Sequence, residues 1–475
     1  MEVLRPGRPG GHGSLIRAAV IRSADSHHAQ PGNRASYPGC ARSLAQIGAP
    51  AGMAIREPAA SLWRHPDFLR LWAGQSVSEI GSVVATVALP LVAVVTLRVS
   101  VLQVGLLSAA GTLPFFLFAL PAGLVVDSVD KRRLMIGCDA GRMLVIGSVP
   151  AAYAMGALTV AQLYAVALLS GALTVFFDVA YQAYLPSLIG REQLTGANGW
   201  LSSTQSLAQT VGPSLGGLLY ALLKAGALTA DAASFAASWI SLLAIRSRQQ
   251  PPEARQSHLS RAALLSGLAF VMRHPVIRRM AACTATANLF NSMAYALIIV
   301  FMIRVLGIRP AWTGLFLAVD GGCGILAAVS FAGLSRRLGL VRLAWLSMLT
   351  LGFAGLLLPL AAPGWRLVLL AAGLGSTGAR IVLFSTSVRS YCQSACPAEL
   401  LGRMSAAMRW IVWSTLPLGG LLGGLLGSTI GIRATMWTAM TGSCAASAWL
   451  LARPVLRLRD RPGRPARAES LNEPA

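Results

Sequence analysis

The sequence predicts an all-α membrane protein whose twelve transmembrane helices form two six-helix, pseudo-symmetric halves. Three observations lead there. Hydrophobic residues make up 55% of the 475 residues and charged residues only 12%, against about 25% charged in an ordinary soluble domain. That is too little charge to cover a soluble surface. The 48 glycines suit membrane helices, which need small residues to pack closely. The chain also repeats itself: Arg64-His65-Pro66 returns as Arg273-His274-Pro275, and Pro121-Ala122-Gly123 as Phe331-Ala332-Gly333. More loosely, Gly212-Pro213 is matched by Leu416-Pro417. His65 to His274 is 209 positions, Gly123 to Gly333 is 210, and Pro213 to Pro417 is 204. A unit of about two hundred residues is duplicated, as in transporters built around a pseudo-two-fold axis.

In chain order, residues 1–52 are rich in Gly, Pro, Arg and Ser and hold no apolar run long enough to span a membrane or serve as a signal. They are expected to be a disordered extension, with Met53 as an alternative start. A span needs roughly 20 mostly apolar residues. The N-terminal half, 53–245, supplies such runs at 68–96, 102–126, 134–158, 161–185, 201–223 and 227–245. The third and fourth runs, and the fifth and sixth, are joined by so few residues that each pair is a tight antiparallel hairpin. Residues 246–279 form a basic linker in which 260–272 fit a surface amphipathic helix. The C-terminal half, 280–452, supplies runs at 280–302, 312–334, 343–360, 367–388, 406–430 and 434–451, and 453–475 form a basic tail.

The net charge of +23 is placed in loops between apolar runs, which argues against a nucleic-acid face and sets the topology instead. One side carries Lys131, Arg132, Arg133, Arg191, the linker arginines, Arg336, Arg337, Arg342, Arg389 and Arg403. The other holds only Arg98, Lys224, Arg304, Arg309, Arg366 and Arg433. By the positive-inside bias the linker and both termini are cytoplasmic, in a multi-pass protein of the cell membrane. The seven cysteines are scattered and odd in number, which argues against a disulfide framework. Cys392 and Cys396 are four apart with no histidine nearby, so no metal site is expected.

The most specific local signal is Gly123-Leu-Val-Val-Asp127-Ser-Val-Asp130-Lys131-Arg132-Arg133. A Gly, three residues, an Asp and a basic cluster resemble the loop signature of the major facilitator superfamily. Asp130 in place of the usual Gly resembles the third group of drug:proton antiporters, which includes macrolide and siderophore exporters. The likeness extends over residues 62–451, through Phe68-Leu-Arg-Leu-Trp, Phe177-Asp178-Val-Ala-Tyr, Asp231-Ala-Ala-Ser-Phe235 and Leu400-Leu-Gly-Arg403. Ser128 departs from the pattern, where a basic residue is usual. The resemblance implies that Asp127 latches the outward-facing state by docking on the start of the 406–430 span. Gly212-Pro213-Ser-Leu-Gly216-Gly217 resembles the antiporter motif of the fifth span. Proline there kinks the helix and the glycines admit a neighbour; ordinary membrane-helix usage is the plainer reading.

Charges inside spans matter most, because a central charge costs roughly 3 kcal/mol on insertion scales and is kept only for a cavity or a partner. Glu79 and Asp320 are the candidate proton carriers. Arg380 could hold a carboxylate ionised, bind an anionic group, or pack against carbonyls. Asp139 and Arg142, three apart, could pair on one face, either as a structural bond or as a gate. Asp178 reads as a cytoplasmic gate contact, while Asp231 and Arg409 lie nearer span ends and could snorkel. No arginine occurs in the fourth span, where many facilitators place one as part of the coupling network; Arg142 could stand in for it, but the family's network is not carried over directly. Aromatic residues such as Phe115, Phe116, Trp410 and Trp413 could line an apolar cavity or face lipid.

Taken together, the expectation is a monomeric exporter of an amphipathic small molecule, exchanging protons and alternating access. Its energy source is the proton motive force, with no cofactor. A proton-coupled importer and a receptor on a transporter fold are the alternatives. An enzyme is not expected: no intramembrane His-Glu metal motif or phosphate loop occurs, and the missing phosphate loop also excludes an ATP-driven pump. The Gly-x-Ser-x-Gly spacing at Gly212–Gly216 lies inside an apolar run, with no histidine in any span to act as its base.

Overall fold

The computed structural model describes residues 59–118, 121–190, 193–246 and 261–451. The extension, the start at Met53, most of the linker ahead of residue 261 and the basic tail fall outside the described residues.

Regular structure among the described residues is helical throughout. After a 3₁₀ turn at Ala59–Arg64, helix α1 (Pro66–Leu91) opens with proline in its first turn, where the missing N–H costs nothing. It is followed by α2 (Val101–Phe118), a short α3 (Pro121–Ser128) and α4 (Lys131–Ala154). Next come α5 (Val160–Ile189), α6 (Leu194–Leu223) and α7 (Leu228–Ala244). The linker forms α8 (Arg261–Arg273), a helix where one was expected over 260–272, and it packs on the helix Ala398–Thr429. Beyond it lie α9 (Pro275–Val300), α10 (Pro310–Leu338), the short pieces α11 (Leu340–Leu346) and α12 (Gly352–Gly355), and α13 (Leu367–Ala395). The last two are α14 (Ala398–Thr429) and α15 (Ile432–Ala445).

Nine helical stretches among the described residues are long and apolar enough to cross a membrane. One of them, Leu194–Ala244, has 51 residues, about two spans' worth, and bends at a 3₁₀ turn, Lys224–Ala227, between α6 and α7. The run expected as one span over 343–360 is not one continuous α-helix. A π-helical turn at Ser347–Leu351 separates α11 from α12, and irregular turns follow. Gly339, at φ 79°, makes the tight reversal from α10 into α11.

Most of the contact between the portion before Arg246 and the portion after Arg261 is made by two helix pairs: α2 packs on α14, and α6 on α10. Both contacts need absent side chains. A Cβ on Gly424 would lie 2.8 Å from Gly105 Cα, and one on Gly217 would lie 2.9 Å from Gly314 N. At the end of the molecule that carries the Arg98 and Arg433 loops, one apolar cluster draws on both portions. Leu91, Leu163 and Leu228 meet Leu297, Phe301 and Met436 there. At the opposite, arginine-rich end the buried residues form two separate clusters. Phe68, Met135 and Tyr184 belong to one, and Met280, Phe384 and Met404 to the other. The two portions are thus sealed together at the arginine-poor end and packed separately at the arginine-rich end.

Candidate functional site

Between the two portions lies a cavity of about 1060 Å³. Its wall is mostly apolar, with Val83, Leu107, Ile298 and Leu317 among the contributors. Polar groups enter in small numbers: Gln205 and Gln209 from α6, Asn288 and Asn291 from α9, and hydroxyls from α1, α2 and α5. Phe115, Phe235 and Tyr295 supply aromatic surface. Pro213 of the antiporter-like motif lines the cavity, while Gly212, Gly216 and Gly217 face away into packing. Gly212 and Gly216 admit Val83 and Val87 of α1, and Gly217 admits the first turn of α10.

A charged centre lies on each side. On the first, Arg142 of α4 pairs with Asp139 one turn earlier, both almost wholly buried. The guanidinium is held between two rings, with its carbon 4.2 Å from the centre of Phe177 and 4.4 Å from that of Phe235. Such faces attract a cation and shield it from the apolar surroundings. Its charge also reaches Glu79, Asp178 and Asp231. One cation therefore serves four carboxylates drawn from α1, α4, α5 and α7. Glu79 is hydrogen-bonded to Gln205, and Gln205 lines the cavity. The carboxylate thereby connects to the cavity through an amide.

On the second side, Asp320 of α10 faces the cavity and accepts a 2.8 Å hydrogen bond from the Tyr295 hydroxyl. Arg380 is buried behind the wall. It donates to Asn291 Oδ1 at 2.8 Å and lies 3.5 Å from the Met348 sulfur. Ser443 donates to the same amide oxygen at 3.0 Å. A Cβ on Gly378 would strike the Asp320 main chain, so this glycine lets α13 and α10 approach where the acid sits.

Asp139 and Arg142 do pair as the spacing suggested. Glu79 and Asp178 join them, which places Asp178 beside Arg142 in the helical interior as well as near the arginine-rich end. One expectation needs correction: Asp231 does not snorkel. It is 2% exposed and sits against Gly81 and Ser234, because α7 packs directly on α1 where glycine leaves room for it. Arg409 is exposed, as a residue near a span end can be. Sequence reasoning missed Tyr295, Asn291 and Gln205, whose neutral side chains carry no insertion penalty large enough to mark them.

The loop signature is resolved into local roles. Asp130 caps α4, accepting from the Arg133 N–H at 3.0 Å. Arg132 donates to the Leu242 and Leu243 carbonyls at 2.9 and 3.0 Å, tying the loop to the end of α7. The Arg133 side chain lies 3.9 Å from Asp130, and Lys131 and Asp127 are the remaining charges of the signature; Asp127 is exposed, and Gly123 lies half-buried in α3.

Residues 58–472 match the family model described as transmembrane secretion effector. The chain is 27% identical over 383 residues to the multidrug efflux pump Tap of Mycolicibacterium fortuitum, covering 78% of this chain and 91% of that protein. It is 32% identical over 169 residues to macrolide efflux protein A of Streptococcus pyogenes, covering 34% of this chain and 40% of that one. Among solved structures it resembles a bacterial homologue of the iron transporter ferroportin in its inward-facing state. That match has a TM-score of 0.65 and 18% identity, and covers 81% of this chain and 98% of the other. The outward-facing state of a bacterial ferroportin homologue gives 0.54.

Proposed function

The chain belongs to the transmembrane secretion effector family of the major facilitator superfamily, and from that premise we propose that it exports an amphipathic small molecule by proton antiport and alternating access. The family and the relatives are membrane transporters, not enzymes. The observation that carries the proposal is the cavity itself: it is walled by both portions, apolar in the main, and bordered by carboxylates. An apolar wall with a few placed polar groups suits an amphipathic guest.

The twelve-helix reading counts Leu194–Ala244 as two spans, the broken stretch from Leu340 as the ninth, and Ile432 onward as the twelfth. The two six-helix halves meet at α2–α14 and α6–α10. With the arginine-rich loops and both termini in the cytoplasm, the cavity opens inward in this state, as the separate clusters at that end support. Asp127, exposed here, would then engage the start of α14 when the halves rock to the outward state. Glu79 and Asp320 are the candidate carboxylates for proton exchange, of which Glu79 is the first to test, with the proton motive force as the energy source and no cofactor. A monomer in the cell membrane suffices for this cycle.

The test is drug accumulation in a pump-deficient strain that overproduces the chain. Reduced accumulation, restored by collapsing the proton gradient, supports export. Increased accumulation would reverse the direction of transport.

A further inference from the structure

We propose that the exported molecule is an amphipathic cation whose positive charge is anchored on Asp320; this rests on the export reading and adds its substrate class. The charges that meet the cavity select its guest. Of the described residues that line it, the charged ones are Asp231 and Asp320, one from each portion. The two guanidinia nearest the cavity are withheld from it. Arg142 is committed to Asp139 and enclosed by Phe177 and Phe235, and Arg380 is buried behind Asn291. An anionic guest would find no cation on this wall and would face two acids.

The two acids are not equivalent. Asp231 is almost wholly buried beneath Ser234, within reach of Arg142's charge. Asp320 is half-buried and open to the cavity, and its Oδ1 is oriented by the Tyr295 hydroxyl. That bond leaves Oδ2 for a guest. Tyr295 also presents aromatic surface beside the acid, and Phe115 and Phe235 present more elsewhere on the wall. Aromatic faces accept a delocalised or alkylated cation whose shell of water is weak. Glu79 differs from Asp320 in standing behind Gln205, so its proton is exchanged without direct contact with the guest. The geometry thus separates a guest anchor, Asp320, from a proton carrier, Glu79.

Two probes of nearly equal shape and opposite charge test this on the full chain purified in detergent: tetraphenylphosphonium and tetraphenylborate, each displaced by excess unlabelled probe. Saturable binding is expected for the cation only. Asp320→Asn should weaken it about tenfold, the effect of losing roughly 1.4 kcal/mol, while Asp320→Glu should retain most of it. A thermal unfolding midpoint unchanged in Asp320→Asn separates this from misfolding, and Tyr295→Phe should give a smaller loss by freeing the carboxylate. Equal binding of the anion, no saturable binding of the cation, or an indifferent Asp320→Asn variant would overturn the anchor. Proton-driven export of a neutral amphipath with no cation binding would sink the substrate class and leave the export reading standing. Asp320-dependent cation binding with no proton-driven flux would do the reverse.

Discussion

The Arg304 guanidinium donates a 2.6 Å hydrogen bond to the Val99 carbonyl oxygen, joining the two portions of the chain at the arginine-poor end. The two residues stand in matching turns. Helix α1 runs into a π turn at Val92–Thr96 and α9 into one at Phe301–Val305, 209 positions later. In each, the backbone closes in the same way: Leu97 N bonds to Val92 O and Leu306 N to Phe301 O, both at 3.0 Å. Arg98 at φ 53° occupies the left-handed position that Gly307 fills at φ 67° in the other copy. The tripeptide repeat keeps the same 209 spacing. The bond itself is asymmetric, because Arg304 corresponds to Val95 at that spacing.

Removing that bond should loosen this end. A net hydrogen bond is worth about 1 kcal/mol, which corresponds to a roughly fivefold shift between two states. Arg304→Met is therefore expected to raise the fraction of molecules open at this end. Spin labels at Leu102 and Ile430 would read it as growth of a longer-distance population. An unchanged distribution would mean that the apolar cluster alone holds the closure.

Steric contact should matter more than that single bond. A side chain on Gly424 must displace the α2 backbone, with Leu102 O only 3.0 Å from the new Cβ as well. Gly424→Val should cost about 1–3 kcal/mol, the usual range for overpacking. The thermal midpoint in detergent should fall by more than for Arg304→Met. The reverse order would show that α2 and α14 are not in close contact in solution.

Removing Arg142 should cost more than removing Asp139. The guanidinium pairs with Asp139 and its charge reaches three further carboxylates, so Arg142→Met removes the one cation near all four, a loss of about 3–5 kcal/mol for a broken buried pair. Asp139→Asn leaves Arg142 within reach of Glu79, Asp178 and Asp231. Folded yield and unfolding midpoint should both rank Asp139→Asn above Arg142→Met. If the two variants are equal, the pair is isolated and no shared network exists.

His274 gives a pH prediction outside the spans. It caps α9, its Nδ1 accepting from the Ile277 N–H at 3.3 Å, and burial lowers the pKa of the ring. A histidine whose folded pKa lies below its unfolded one contributes stability above the unfolded value and loses it as pH falls through the folded value. Protonation also removes the acceptor, worth about 1 kcal/mol at a helix start. Relative to the intrinsic exchange rate at each pH, amides at Val276–Arg279 should therefore be less protected at mildly acidic pH than at neutral pH, and His274→Asn should abolish the difference. Equal acid sensitivity in that variant would place its cause elsewhere.

Much of this was legible in the chain because a bilayer writes itself into composition. Long, largely apolar runs became α1, α5, α9 and α13, and the 209 spacing reappears in two turns of the backbone. The ninth run was less legible. Its composition fits a span, but the π turn at Ser347–Leu351 depends on packing that composition does not record. Charge pairing followed the same rule. Asp139 and Arg142 are three apart and could be paired by helix geometry alone. Asp231 could not, because its burial depends on Gly81, 150 positions earlier. The enclosure of Arg142 likewise needs Phe177 and Phe235, brought from two other helices.

The coupling itself can be tested at Glu79. Each exchanged proton lets a one-unit pH gradient support about tenfold accumulation, since one pH unit is worth about 1.4 kcal/mol. Glu79→Gln keeps the shape of the protonated side chain and a partner for Gln205, but it cannot release a proton. In proteoliposomes this variant should still exchange labelled for unlabelled substrate, while accumulation driven by a pH gradient falls to the level set by the substrate's own gradient. Asp320→Asn, run in parallel, should weaken substrate binding and so reduce exchange itself. Normal pH-driven accumulation in both variants would remove proton exchange at these two sites. Loss of every activity in Glu79→Gln, exchange included, would instead mean that Glu79 works as a structural bond between α1 and α6.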